Sequence, residues 1–225
     1  MSGRERPGKA GRTGDPRTTA VVCVECQQGV LGEDSVLPAL RDDARRVLPG
    51  IERLVRAARG AGVRVVHATF EGGLGAGEPG PAPLWRTLGA RTAGWEPGHP
   101  ATTVLPQLYS PDDLVLPRHH GLSPAWGTEL LPVLRALGVR TIVLAGVSLN
   151  VALPLTAGEA AHQGFGVVVP RDAVMGTPAE YGELVLAHTM AMLGVITAVD
   201  DLVADWEKVL AEPSTDATVN VHTEP

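Results

Sequence analysis

Gly138-Val-Arg-Thr-Ile-Val-Leu-Ala-Gly-Val-Ser-Leu-Asn-Val-Ala-Leu153 is the stretch on which the fold turns. Thr141 to Ala145 is a near-continuous apolar run, the pattern of a strand buried on both faces. A helical stretch follows, Asn150 to His162, closed by Gly164. A buried strand that passes directly into a helix is half of a βαβ unit, and the rest of the chain repeats it.

Working outward, Ala20 to Glu25, Val63 to Thr69, Asp113 to Leu116, Gly166 to Pro170 and, at an edge, Val195 to Val199 read as further strands. Leu37 to Gly60 (split at Pro49), Gly127 to Leu137, Pro178 to Leu193 and Asp200 to Leu210 read as helices. Leu130, Leu131, Leu134 and Leu137 mark one apolar helix face, and Gly138 stops it. Strands separated by helices of this length imply right-handed crossovers. The fold class is therefore α/β, a mostly parallel central sheet with helices on both faces. Ligands in such sheets bind at the carboxyl ends of the strands. That directs attention to Glu25, Pro117 to His120, Gly146 to Ala152, and Arg171-Asp172.

At 225 residues and 44% hydrophobic, the chain can bury one large core. Aromatics are only 4%, so Ala, Val and Leu must build it. The formal charge of −6 argues against nucleic acid as partner, which would need a basic face. No apolar stretch approaches the roughly 18 residues of a membrane span, and the N-terminus lacks an apolar signal core. Two cysteines, Cys23 and Cys26, fit a reducing compartment, and the expected location is cytoplasmic. Residues 1–17, rich in Gly, Arg and Pro, read as a disordered tail, 18–211 as the domain, and 212–225 as a second loose tail. Glu71 to Pro100 breaks the rhythm with many Gly and Pro residues plus Trp85 and Trp95, and reads as a lid or subunit contact.

Three stretches together resemble the isochorismatase-like (cysteine hydrolase) family. Ala20-Val-Val-Cys-Val-Glu-Cys-Gln-Gln-Gly29 is similar to its first strand, Ser123-Pro-Ala-Trp-Gly-Thr-Glu-Leu130 to its Ser-x-Phe-x-Gly-Thr-x-Leu segment, and the 138–153 block to its Gly-Val-x-Thr-x-x-Cys-Val. The resemblance runs from about Thr18 to Leu202. It implies a three-layer, Rossmann-like fold, a small-molecule substrate, a homo-oligomer, and a site of acid, lysine and cysteine in which a thiolate attacks a carbonyl. Here the acid position holds Glu25 and the cysteine position Ala152. The lysine position falls at Arg118 counted from the strand, or at His119 counted back from Ser123, and Arg118 is preferred. Leu149 replaces the motif threonine, which predicts a more apolar site.

Alanine has no nucleophile, so acylation through Ala152 is impossible. What the resemblance leaves open is protonation of a carboxylated, vinyl-ether-like substrate by Glu25 with water completing hydrolysis, Arg118 holding the carboxylate and His119 assisting. Backbone N–H groups at Val151 and Ala152 are expected to face the cleft, and Trp126, Trp85 or Trp95 to line it. Asn150 reads as a helix cap, Asp112 and Asp113 as solvated turn or cap residues, and His67 as a core histidine. Neither a metal nor a cofactor is expected. Cys26 as a relocated nucleophile and a redox Cys23-Val-Glu-Cys26 pair are minor alternatives. The rival to catalysis is a binding or oligomerisation module of the same fold.

Overall fold

The computed structural model describes residues 13–72 and 79–212. The expected tails lie outside them over 1–12 and 213–225, as does the 73–78 part of the Glu71–Pro100 segment. Residues 13–17 pack on the domain: Asp15 caps the turn at Pro16–Thr18, and the Thr13 hydroxyl donates to Asp205 Oδ2 at 3.0 Å.

The first half of the chain runs β1 (Thr19–Val24), α1 (Gln28–Leu31), α2 (Pro38–Ala44), α3 (Leu48–Gly60), β2 (Arg64–Phe70), α4 (Pro83–Thr92) and β3 (Leu114–Arg118). The second half runs α5 (Leu130–Ala136), β4 (Thr141–Val147), α6 (Ala152–His162), β5 (Gly166–Pro170), β6 (Val174–Met175), α7 (Ala179–Val185), α8 (Ala191–Leu193), β7 (Val195–Thr197) and α9 (Val199–Ala211). Pro49 sits in the first turn of α3, where its missing N–H has no intrahelical acceptor to lose. The helix expected over Pro178 to Leu193 is interrupted by a π-helical turn at Leu186–Met190. The one expected from Gly127 begins at Leu130, because Pro124 to Thr128 forms turns through the Ser123 and Thr128 hydroxyls.

The sheet order is β3-β2-β1-β4-β5-β7, with β6 beside β4, and every named pairing is parallel. Strand alternation sorts the core into two layers. Val21, Cys23, Val65, Val143, Ala145 and Val168 pack under α1–α3 and α9, whereas Ala20, Val22, Val66, Ile142, Leu144 and Val167 pack under α5–α8. The chain winds from β1 outward to β3, then returns to the other side of β1 as β4. The order therefore reverses between β1 and β4, and a crevice opens beyond their carboxyl ends.

Gly146 makes the close approach at that crevice possible. It has φ 98, and a Cβ there would collide with the Val24 carbonyl and lie 2.8 Å from Cys26 Sγ. Only glycine fits this backbone against β1.

Candidate active site

Glu25 follows the last residue of β1 and is the one non-glycine residue with positive φ (53°) among those described. The left-handed geometry costs about 1–2 kcal/mol for an L-residue. It is held by the Glu25 N–H, which donates to the Ala68 carbonyl at 2.9 Å. Two residues on, buried Gln27 clamps the end of β2. Its amide donates to the Phe70 carbonyl at 2.8 Å and the Ala101 carbonyl at 3.0 Å, and its Oε1 accepts from the Phe70 N–H at 2.6 Å. Strand ends β1 and β2 are thereby locked together around the acid.

Arg118 ends β3, two strands away, and reaches back across β2. Its Nη2 donates to Glu25 Oε1 at 2.5 Å, and its guanidinium carbon lies 5.0 Å from the centre of the Phe70 ring. The Arg118 side chain is 4% exposed and that of Glu25 14%. Arg118 Nε and Nη1 are buried with no hydrogen-bond partner among the described residues. A buried guanidinium with two free donors is costly unless an acceptor comes to it. Those donors are the clearest ligand signal in the structure.

Both residues line a cavity of about 230 Å³. One side carries the polar ends of the sheet, with Ser148, Asn150 and Thr177 beside Glu25 and Arg118. The other side is apolar: Val30, Leu37 and Leu40 from α1–α2, and Leu84, Trp85 and Leu88 from α4. The described part of the Glu71–Pro100 segment contains a helix. Pro83 starts a helix there whose buried face roofs the cavity, and Trp85 stacks on Phe70 at 5.0 Å between centroids. Trp95 approaches the same ring at 6.1 Å.

Ala152 lines the cavity at the first turn of α6, after a cis Val147–Ser148 peptide. The Val151 N–H is not free as expected, because it donates to the Ser148 carbonyl at 3.3 Å. Asn150 does not cap α6 either. Its side chain brackets Thr177, donating to that carbonyl at 2.6 Å and accepting from that N–H at 2.8 Å, and so ties the crevice to the start of α7. Leu149 is buried against Gly176 and Gly182 in the opposite layer. The apolar character of the site comes from α1, α2 and α4 instead.

Other candidates fall outside. Trp126 is 66% exposed and lies in a separate shallow groove with Leu155, beyond Trp85. His119 turns away from Glu25, its Nδ1 3.3 Å from the Gly72 carbonyl and its Nε2 3.7 Å from Glu71. Cys26 is buried, with Sγ 3.6 Å from the Val24 carbonyl, and does not line the cavity. Among the described residues no group of three or more His, Cys, Asp or Glu is placed to hold a metal. No described helix is long and apolar enough to cross a membrane.

Asp113 is not a solvated turn residue. Its side chain is buried, and it binds Arg59 through both oxygens (3.2 and 2.6 Å) and His67 Nε2 at 2.9 Å. Desolvation opposes the Asp113 carboxylate, but the Arg59 and His67 hydrogen bonds outweigh it and the pKa falls. Burial likewise opposes the charged His67 ring, yet Cys23 and Asp113 beside it raise its pKa. Hydrogen bonding from Cys26, and then the His67 ring, bring Cys23 down to about 6 against its burial. The network supports β1–β3 from beneath the site. Sequence reading missed its link through Arg59.

The family profile described as Isochorismatase domain matches residues 19–201. The chain is 31% identical over 186 residues to ureidoacrylate amidohydrolase RutB of Methylorubrum extorquens, covering 73% of each chain. Among solved structures it is similar to a cysteine hydrolase from Pseudomonas syringae pv. phaseolicola, with TM-score 0.73 and 23% identity over 87% of this chain and 95% of that one. It is also similar to an isochorismatase family protein from Desulfovibrio vulgaris, with TM-score 0.71 and 23% identity over 87% of this chain and all of that one.

Proposed function

The chain belongs to the isochorismatase family of hydrolases, and from that premise we propose that it hydrolyses a small carboxylated molecule without a cysteine nucleophile, by acid–base catalysis from Glu25. One observation carries the reading. The Glu25–Arg118 pair, bonded at 2.5 Å, closes the polar end of the cavity while two guanidinium donors have no partner among the described residues. A substrate carboxylate that reaches the guanidinium accepts from one of these nitrogens, which lie on different edges of the group. A second carboxylate brought to one guanidinium repels the first, and a proton taken up by the cluster relieves that repulsion. Glu25 then holds the proton it donates.

For a vinyl ether, the proton goes from Glu25 to the alkene carbon and leaves an oxocarbenium ion. Water adds to that ion and returns a proton to Glu25, and the hemiketal breaks down to a ketone and an alcohol. No bond to the protein forms, which is what Ala152 permits. The Ser148 hydroxyl, in the cavity wall and without a hydrogen-bond partner among the described residues, can orient the water, and the Ala152 N–H, without an acceptor among the described residues, can hold the leaving oxygen as the hemiketal breaks down. A relative named for ureidoacrylate adds ureido carboxylates to the candidates.

The test is product formation followed by mass spectrometry. Wild type and Glu25→Gln are given isochorismate, related vinyl ethers, ureidoacrylate and N-carbamoyl amides. Turnover lost in the Gln variant supports the mechanism. Turnover retained in that variant removes Glu25 from the chemistry. A second reading, a ligand-binding module without turnover, is favoured by the position of both thiols outside the cavity. Failure of the folded protein on the whole panel selects it. Self-association belongs to the same proposal, supported by exposed Tyr181, Leu184 and Met192 along α7–α8. Light scattering tests it.

A further inference from the structure

The apolar half of the cavity defines the part of the substrate that does not react. This inference rests on Arg118 as the anion anchor and extends it. The polar groups of the site gather at the strand ends, and several are already engaged. Asn150 is bound to the Thr177 backbone, and the Thr92 hydroxyl donates to the Leu88 carbonyl at 3.1 Å. The wall facing Arg118 is built from Val30, Leu37, Leu40, Leu84 and Leu88 with the Phe70–Trp85 pair. A ureido or hydroxyl substituent placed against that wall would lose its water and find, among these residues, only the unpartnered Trp85 Nε1 donor and no acceptor.

Phe70 joins the two halves. Arg118 lies over its ring at 5.0 Å, and Trp85 stacks on it with an interplanar angle of 26°. The free guanidinium donors and the aromatic wall therefore stand one ring apart. A carboxylate seated on Arg118 directs whatever it is attached to along Phe70 and under Trp85.

We propose that the cavity takes a monoanionic carboxylic acid with an apolar, ring-sized body, and that Trp85 is a specificity-determining residue for that body. The cavity volume of about 230 Å³ favours a small acid. It lies below the range of about 300–1,000 Å³ common for drug-sized ligands. On this proposal ureido carboxylates rank below apolar acids among the candidates.

Calorimetric titration of the full chain with benzoate, cyclohexanecarboxylate, benzyl alcohol and 3-ureidopropionate tests this without requiring turnover. Benzoate and cyclohexanecarboxylate are expected to bind at least 10-fold more tightly than 3-ureidopropionate, and benzyl alcohol more weakly than benzoate. Trp85→Ala should weaken the two apolar acids about 10-fold and leave 3-ureidopropionate within 2-fold. Leu84→Asn, at a helix position 39% exposed, is a second variant that keeps the core intact and should act in the same direction. Equal or tighter binding of 3-ureidopropionate by wild type would overturn the proposal, as would an unchanged preference in both variants. Failure of every carboxylate to bind overturns it together with the anchor. Tight binding of the apolar acids by a protein that turns nothing over leaves this inference standing and removes only the catalytic reading.

Discussion

Arg118 and Glu25 end strands that are not neighbours, and the 2.5 Å contact between Nη2 and Oε1 closes over β2. The cation is held by its partner and by the Phe70 ring, and its Nε and Nη1 have no hydrogen-bond partner among the described residues.

Removing the acid should remove the chemistry and not the fold. Glu25→Gln keeps the shape and a hydrogen bond to Arg118 while losing the transferable proton. A fall of about 10²–10⁴-fold in kcat is expected, the range for a lost general acid–base group. Unchanged far-ultraviolet circular dichroism would show that the fold survives. A kcat within 3-fold of wild type would exclude Glu25 from proton transfer.

Breaking the pair from the other side should cost stability. Arg118→Met leaves the Glu25 carboxylate largely buried and unpaired, and loss of one partner of such a pair costs about 3–5 kcal/mol. The double variant Glu25→Gln/Arg118→Met should recover part of that loss. Urea midpoints of the four proteins give the coupling directly, and additive losses would deny it.

Carboxylate binding should take up a proton. Titrations of benzoate in phosphate and in Tris, buffers of different ionisation enthalpy, are expected to give different apparent heats at pH 7. Glu25→Gln should erase the difference. Buffer-independent heats in wild type would show that the second carboxylate enters without protonation.

The Asp113–His67 network sets a pH window for stability. His67 has a raised pKa, so its contribution is complete below its ordinary value of 6.5 and is lost as pH rises through the raised one. Asp113 has a lowered pKa, so its contribution is present above 3.8 and is lost as pH falls through the lowered one. Stability should therefore be greatest between about pH 4 and 6.5 as far as these two groups decide it. Asp113→Asn should flatten the acid limb and His67→Gln the alkaline one, read as urea midpoint against pH.

Gly146→Ala should be among the most damaging single-methyl changes. The added Cβ meets the Val24 carbonyl and Cys26 Sγ at a left-handed φ, so neither strand can yield without moving the other. Overpacking of this kind costs about 1–3 kcal/mol, and the backbone strain adds to it. A thermal midpoint within 2 °C of wild type would contradict the close packing of β1 on β4.

The sequence by itself determined the layers. Thr141 to Ala145 and its counterparts have the period and length of buried strands, and the helices between them permit only a parallel, doubly covered sheet. It also placed Glu25, Arg118 and Ala152 at strand and helix ends, because those ends follow from the periodicity. Which side chains meet was decided by tertiary structure. Arg118 and His119 are adjacent in sequence, and only the register of β3 on β2 turns one toward Glu25 and the other toward Glu71. Asp113 and Arg59 carry surface-type side chains, and only packing of α3 against β2 and β3 buries their contact. Trp85 and Trp126 are the same residue type in loop-like contexts. The helix begun at Pro83 folds the first onto Phe70, while the turns around Ser123 leave the second in solvent. Local propensity fixes where an element starts and which face is apolar. The partner across the fold depends on register and crossing, which residues far apart in sequence set jointly.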